Sequence, residues 1–467
     1  MRRGSRTFNS SHMTQLWFPE RPKMLARLAI VALLLVNLPL WSQVEPGASG
    51  TDSTADTNAE MTVPPPVAGV LYPNTVTPEN LPNYMSAGLT ASGGYIFNVL
   101  PFQTATPVND ATYSFYPTVG IIRTTVRRQV TAYYSPSFVF YEPTTALNTI
   151  NNGATMTFQD RFSPHITFNV EDFFYRTSNV FDQSYQFSGG GVTGSTQTPA
   201  TVLIVPFEEQ LSNLAHAFLS YQFGREGMIG GGASDSTIYF SAPSATTGLG
   251  NSHADTAWVF YNRRIAPMQY LGISYQWART AAETSTQRSD TQINSILPYY
   301  SFYFTKTSSI SLSGGAQQVN VTSPNLPASN SWLPEADVSV GYQGKSGFLA
   351  ASYSYTTTSG GGLLGAYNTN SSELNGGWNL SRTWTADVSV SYANVTNATP
   401  KLFAFTSGTT IAGQASISHS FRELLFVRVG YERLHENYPD IPIISANPDS
   451  NQVYGKITYE FRKPMGK

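Results

Sequence analysis

Few residue sets in this chain could support catalysis. It has six histidines and no cysteine, so thiolate nucleophiles, disulfides and thiolate metal sites are excluded. Asn251-Ser252-His253 with Asp255 places a hydroxyl, an imidazole and a carboxylate within five residues of what reads as a loop. A nucleophile, its base and its orienting group must converge from separate positions, so no catalytic residue is assigned. No pair of His or acidic residues shows metal-ligand spacing, and neither a metal nor another cofactor is expected. More informative are ionisable residues spaced by four within alternating segments: Arg428 and Glu432, then Lys456 and Glu460, with Asp337 and Asp387 in two earlier segments. Strand side chains an even number of residues apart share a face. These six are expected on one polar face, setting a local field in whatever water they meet. The competing reading pairs them with one another as structural struts.

The elements that must carry these residues are strands. Val453, Gly455, Ile457, Tyr459 and Phe461 alternate with Tyr454, Lys456, Thr458 and Glu460. The same dyad places Ala386, Val388, Val390 and Tyr392 against Thr385, Asp387, Ser389 and Ser391. It recurs in Ala336, Val338, Val340 and Tyr342 against Asp337, Ser339, Gly341 and Gln343, and in Leu425, Val427, Val429 and Tyr431 against Arg428, Gly430 and Glu432. One face of each segment is lipid-like and the other watery. A soluble sandwich would carry more charge on its outward face, yet charged residues are only 12% of the chain and aromatics 13%.

After Trp41 no run approaches the roughly 20 apolar residues that a membrane-crossing helix needs. Only helices and closed barrels satisfy every backbone polar group in hydrocarbon, so a barrel is expected. Tight polar breaks fall near Thr125, Pro164, Arg225, Ala266, Thr307, Lys345, Arg382 and Arg422. The stretches between them at 142–153, 241–253, 281–290, 321–331, 359–369, 396–408 and 436–449 are rich in Gly, Ser, Thr, Asn and Pro and read as longer loops. Eight tight turns join 16 strands, and a further strand at each end (about 86–98 and 450–461) makes 18, with 16 as the fallback. The expectation is an all-β, transmembrane, antiparallel up-and-down barrel with short periplasmic turns and longer extracellular loops. Each turn carries or adjoins a basic residue: Arg127, Arg161, Arg225, Arg263, Lys306, Lys345, Arg382 or Arg422. Phe223, Tyr342, Phe348, Trp384 and Phe421 flank the same turns, as in an interfacial girdle. The basic residues suit either lipid headgroups or plain solvation.

Upstream, Arg21, Lys23 and Arg27 precede the apolar Leu28–Leu40 and then Trp41-Ser42-Gln43. Residues 1–42 read as a secretory signal whose true start could be Met24, with an uncleaved anchor as the alternative. Residues 43–82 read as a flexible Pro/Thr-rich periplasmic leader or a partner-binding segment. The barrel is assigned to 83–461 and a short tail to 462–467. Over 83–467 there are 21 basic and 23 acidic residues, which predicts no strong ion preference and no nucleic-acid partner.

The signal, the two-strand repeat and the amphipathic last strand together resemble bacterial outer-membrane porins and the loosely defined porin-like barrels, over about 86–461. The likeness is one of pattern, without a residue motif that selects a subfamily. It implies a channel for passive diffusion of small hydrophilic solutes in the outer membrane of a Gram-negative-type bacterium. Other readings are a non-conducting structural or surface-interaction barrel and a conduit for polysaccharide export. It also implies outer-membrane lipid as surroundings and recognition of the last strand by the assembly machinery, although here the terminal aromatic Phe461 is followed by Arg462–Lys467. Porins often fold their third external loop inward. Residues 178–208 would be that loop, expected either to constrict the lumen, so that deleting 186–200 raises conductance, or to lie on the surface. The oligomeric state is not predicted.

Overall fold

The protein is described here from a computed structural model over residues 83–465, apart from 100–106, 126, 179–180, 182–208, 225, 242–249, 285, 306, 325, 345, 359–362, 400–406, 422–423 and 439–448. Eighteen strands run in chain order: β1 Tyr84–Phe97, β2 Asp110–Thr124, β3 Arg128–Tyr141, β4 Thr149–Ser163, β5 Ile166–Thr177, β6 Gln210–Phe223, β7 Gly227–Phe240, β8 Asn251–Ala266 and β9 Gln269–Glu283. The second half comprises β10 Arg288–Thr305, β11 Ser308–Ser323, β12 Leu326–Gln343, β13 Gly347–Thr358, β14 Tyr367–Asn379, β15 Trp384–Asn397, β16 Ser407–Phe421, β17 Leu425–Asn437 and β18 Asp449–Pro464. Each strand pairs antiparallel with its sequence neighbours, and β1 closes on β18 from Tyr84↔Pro464 to Phe97↔Asn451. The result is a closed barrel, as the repeat predicted, and all eight expected tight turns fall between paired strands.

The alternation has the expected consequence. Large apolar side chains of one parity remain exposed on the outer wall, among them Leu89, Val259, Ile273, Val340, Val390, Val429, Ile457 and Tyr459. Their neighbours turn to the concave face, where side chains from non-adjacent strands meet: Ile96 of β1 packs with Val139 of β3 and Leu434 of β17. Among the described residues no helix is long and apolar enough to cross a membrane.

Several boundaries differ from the sequence reading. Segments 281–290 and 321–331 were expected as loops, but β9 runs to Glu283, β10 starts at Arg288, and the β11–β12 ladder continues up to Ser323↔Leu326. Likewise β4 begins at Thr149, inside the expected loop 142–153. Polar composition suggested loops there, but a strand that has left hydrocarbon carries the same Ser, Thr and Asn on both faces. Asn251, His253 and Asp255 are also in a strand, β8, rather than a loop. The last strand runs three residues past Phe461, through Pro464. The expected signal and leader at 1–82 lie outside the described residues.

Prolines mark where the ladders stop. Between β2 and β3 pairing skips from Phe115↔Phe138 to Val119↔Tyr134, a gap that holds Pro117 and Pro136. Between β10 and β11 it skips from Ile296↔Ala316 to Tyr299↔Ser313, around Pro298. Pairing of β12 with β13 ends at Ala336↔Tyr355, and Pro334 and Pro327 lie in the part of β12 beyond it. Proline has no N–H to give a neighbouring strand, so it is tolerated where a ladder bond is dispensable. On the concave face, aromatic rings lie flat over glycines of the adjacent strand: Tyr133 over Gly120, Trp258 over Gly232, Tyr299 over Gly272 and Tyr454 over Gly430. A Cβ at any of these glycines would overlap the ring, so the absent side chain is what lets a large residue fold back against the wall.

Candidate functional site

The six residues singled out from the sequence all have the parity opposite to the exposed apolar set. The barrel brings four of them onto neighbouring strands. Arg428 of β17 stands directly across from Lys456 of β18, and its guanidinium is 3.8 Å from Asp387 of β15, two strands away. Glu432, four residues along β17 from Arg428 on the same face, is buried and within hydrogen-bond reach of the Tyr454 phenol. Lys456 makes no ion pair among the described residues; its ammonium stands 4.4 Å from the centre of the Tyr454 ring and 5.9 Å from that of Tyr116. Glu460 bonds Arg462 at 3.0 Å on the same face. Asp337 is set apart on β12, buried, accepting a hydrogen bond from Ser313 Oγ at 2.9 Å beside Glu335. Asp387 and Arg428 thus pair with each other, and Lys456 has no carboxylate partner among the described residues.

At the loop end two apolar clusters coat the concave face. One gathers Ile96, Val99, Val139, Tyr141 and Leu434 around Phe181, which follows β5. This is the one residue described within 179–208, so the remainder of the expected third-loop constriction lies outside the described residues. The second cluster is on β9–β11, where Ala282, Ile293, Val319 and Val321 receive Leu364 and Ala366 from the segment between β13 and β14. Strand order sets β10 nine places from β1 around an 18-membered ring, so the two clusters face each other across it.

The second cluster exists because the top of β13 leaves the wall. Beyond Tyr355 it no longer pairs with β12; the Thr357 N–H instead donates to Gln317 Oε1 of β11 at 2.9 Å, and Gln317 Nε2 donates to Thr356 Oγ1 at 3.0 Å. The tip then reaches farther, with the Gly365 N–H donating to Ser289 Oγ of β10 at 3.1 Å. Gly365 has φ 105°, a left-handed conformation open to glycine and costly for other residues. Sequence reasoning missed this infolding, although Gly360–Gly362 with Leu363 and Leu364 was a signal: adjacent leucines in an otherwise polar connection need something to cover them.

The outer wall holds one grouping that the sequence hid. Asp235 of β7 lies directly opposite Asp255 of β8, and His253 Nε2 is 3.6 Å from the first carboxylate and 3.5 Å from the second. Thr237 Oγ1 is 3.1 Å from the other ring nitrogen. All three side chains are well exposed, and Arg279 and Asp290 form a bidentate pair alongside. This is a polar patch of the outer face, made by pairing of distant segments that no local spacing could reveal.

No family model matches the chain, and no curated protein matches it in sequence. Among solved structures it is similar to OccAB4 of Acinetobacter baumannii, at 8% identity and a TM-score of 0.39 over 82% of this chain and 100% of that one. OccK2 (OpdF) of Pseudomonas aeruginosa aligns at 11% identity and a TM-score of 0.39, over 82% and 98%. OpdK of the same organism, solved with vanillate, aligns at 10% identity and 0.37, over 81% and 99%. Likeness at this level carries no functional inference.

Proposed function

We propose that the chain is an outer-membrane channel of a Gram-negative-type bacterium, through which small hydrophilic solutes diffuse passively. One observation carries the reading. Arg428 and Asp387 point to the concave face yet keep 49% and 39% of their side-chain surface exposed. Charged groups so placed require water, since burying them dry would cost several kcal/mol each. An 18-stranded ring is wide enough to hold such water as a continuous column. The apolar outer wall supports a lipid environment, and the opposed clusters around Phe181 and Leu364 would narrow the column toward the loop end. In this reading Arg428, Lys456, Glu460 and Asp387 line the passage while Glu432 and Asp337 lie buried on the same face, residues 1–42 direct export, and β18 is offered to the assembly machinery.

The test is reconstitution of the mature protein into planar bilayers and liposomes. Discrete conductance steps, with liposome swelling that falls as sugars grow larger, are expected. A correctly folded barrel that neither conducts nor admits small sugars would overturn the reading.

A further inference from the structure

On the outer wall near the loop end of β7 and β8, Asp235 stands directly opposite Asp255, with His253 two residues along β8 on the same face. Asp255 is in register with Arg279 of β9, four residues beyond Tyr275 toward the loop end, where the wall carries charge. Like charges directly across a ladder repel, so the two carboxylates call for a cation. Arg279 does not supply it: its guanidinium is turned to Asp290, with Nη2 at 2.6 Å and Nε at 3.1 Å from one carboxylate oxygen. Among the described residues both carboxylates instead face the imidazole of His253, whose Nε2 is 3.6 Å from Asp235 and 3.5 Å from Asp255. Those separations are too long for a hydrogen bond. The nitrogen bonds neither oxygen and stands between them. Thr237 Oγ1 lies 3.1 Å from Nδ1. In the tautomer that donates Nδ1–H to this hydroxyl, the Nε2 lone pair is left to serve as a ligand.

We infer that Asp235, His253 and Asp255 form a binding site for a divalent transition-metal ion of the Zn²⁺ class. Zn²⁺ holds nitrogen and carboxylate oxygen at about 2.1 Å in a tetrahedron, whose corners are then about 3.4 Å apart. The two nitrogen–oxygen separations already match that edge, and all three donor atoms lie within 4.8 Å of one another. A small turn of one carboxylate closes the third edge. Three protein donors leave the fourth corner open, and the side chains are 41–49% exposed, so water or an anionic group reaches it from outside. The donor set also ranks ions. Ca²⁺ takes about six to eight oxygens, whereas one imidazole with two carboxylates suits Zn²⁺. Bound there, the ion would offset the repulsion of the facing carboxylates and tie β7 to β8 near the end of their ladder.

Calorimetric titration of the detergent-solubilised full barrel, prepared without a polyhistidine tag, tests this independently of conduction. The probes are Zn²⁺ alone and Ca²⁺ alone. A single Zn²⁺ per chain is expected, bound at least about tenfold more tightly than Ca²⁺, a difference of about 1.4 kcal/mol. His253→Gln and Asp255→Asn should each weaken Zn²⁺ binding by at least the same factor. Both positions are exposed, so the barrel should fold, and heat-dependent gel mobility checks that it has. His435, which pairs with Asp449 beside Arg433, is the control: His435→Gln should leave Zn²⁺ binding unchanged. Absence of Zn²⁺ binding, Ca²⁺ bound as tightly as Zn²⁺, binding unaltered by either His253→Gln or Asp255→Asn, or binding lost with His435→Gln would each overturn the site.

Discussion

Tyr431 of β17 donates its phenolic hydrogen to Asn451 Oδ1 of β18 at 2.7 Å, reaching past its direct partner Val453 to a residue two positions nearer the loop end. The same diagonal recurs on the outer wall as Tyr134–Asn152 at 2.9 Å, Tyr275–Asn294 at 3.0 Å and Tyr353–Asn370 at 3.0 Å. In every case the tyrosine is on a strand rising from a tight turn, and the asparagine is on the strand that follows. Below these pairs the outer wall is Val, Ile, Leu and aromatic; above two of them come Arg279 with Asp290 and Arg433 with Asp449, whereas the exposed Phe140 and Ile150 stand above Tyr134–Asn152. A phenol that is apolar at its ring and wet at its oxygen belongs at such a boundary. At Tyr275–Asn294 and Tyr431–Asn451 the change from apolar to charged wall coincides with the pair.

Removing the four phenols together, as Tyr→Phe at 134, 275, 353 and 431, keeps the rings and deletes the bonds. Each loss is expected to cost about 0.5–1.5 kcal/mol, and because the sites lie far apart the effects should add. Urea unfolding in lipid vesicles measures it. A quadruple variant as stable as the parent would show that the pairs are incidental.

An arginine introduced at Val390, outward at mid-strand on β15, should cost about 2–4 kcal/mol. The same residue at Ser389, one position away and inward, should cost much less and should change ion selectivity. Vesicle unfolding and reversal potentials read the two effects. Equal destabilisation at both positions would mean that the faces are misassigned.

Much of this was legible because alternation is a local property. Val453–Phe461 states its own two faces, and the eight turns fixed the strand count. What the sequence could not announce depended on which strands become neighbours. The convergence of Asp235 with His253 and Asp255, the Lys456 ammonium over Tyr116, and the docking of Leu364 on Val319 and Val321 are all of this kind. The misread loops at 281–290 and 321–331 have a different origin, since a strand clear of the lipid needs no apolar face and so has no dyad to read. The prolines carry a further signal: Pro117, Pro136 and Pro298 each fall in a gap of a ladder, and Pro334 lies just beyond the end of the β12–β13 ladder.

Gly430→Leu should displace the Tyr454 ring that lies over it, with an expected loss of about 1–3 kcal/mol from overpacking. Gly455→Ala, where an added Cβ meets nothing within 4 Å, should be close to neutral. Thermal unfolding of the two variants side by side distinguishes ring seating from a general intolerance of strand substitutions.

Leu364→Asp should release the β13–β14 tip from its seat on β9–β11, because Leu364 is 9% exposed and an aspartate there would stand among Ile293, Val319 and Val321. Forfeiting a buried leucine costs about 2–5 kcal/mol locally, enough to favour the undocked tip while the ladders hold. Single-channel conductance is expected to rise. An unchanged conductance would show that the tip does not bound the narrowest section.

The central claim is that one wall separates hydrocarbon from water residue by residue, and the absence of native cysteine makes it directly measurable. Single cysteines placed successively from Thr385 to Tyr392 in reconstituted vesicles can be probed with a water-soluble, membrane-impermeant maleimide. Labelling at 385, 387, 389 and 391, with protection at 386, 388, 390 and 392, is the predicted pattern. Uniform labelling, or none at any position, would contradict it.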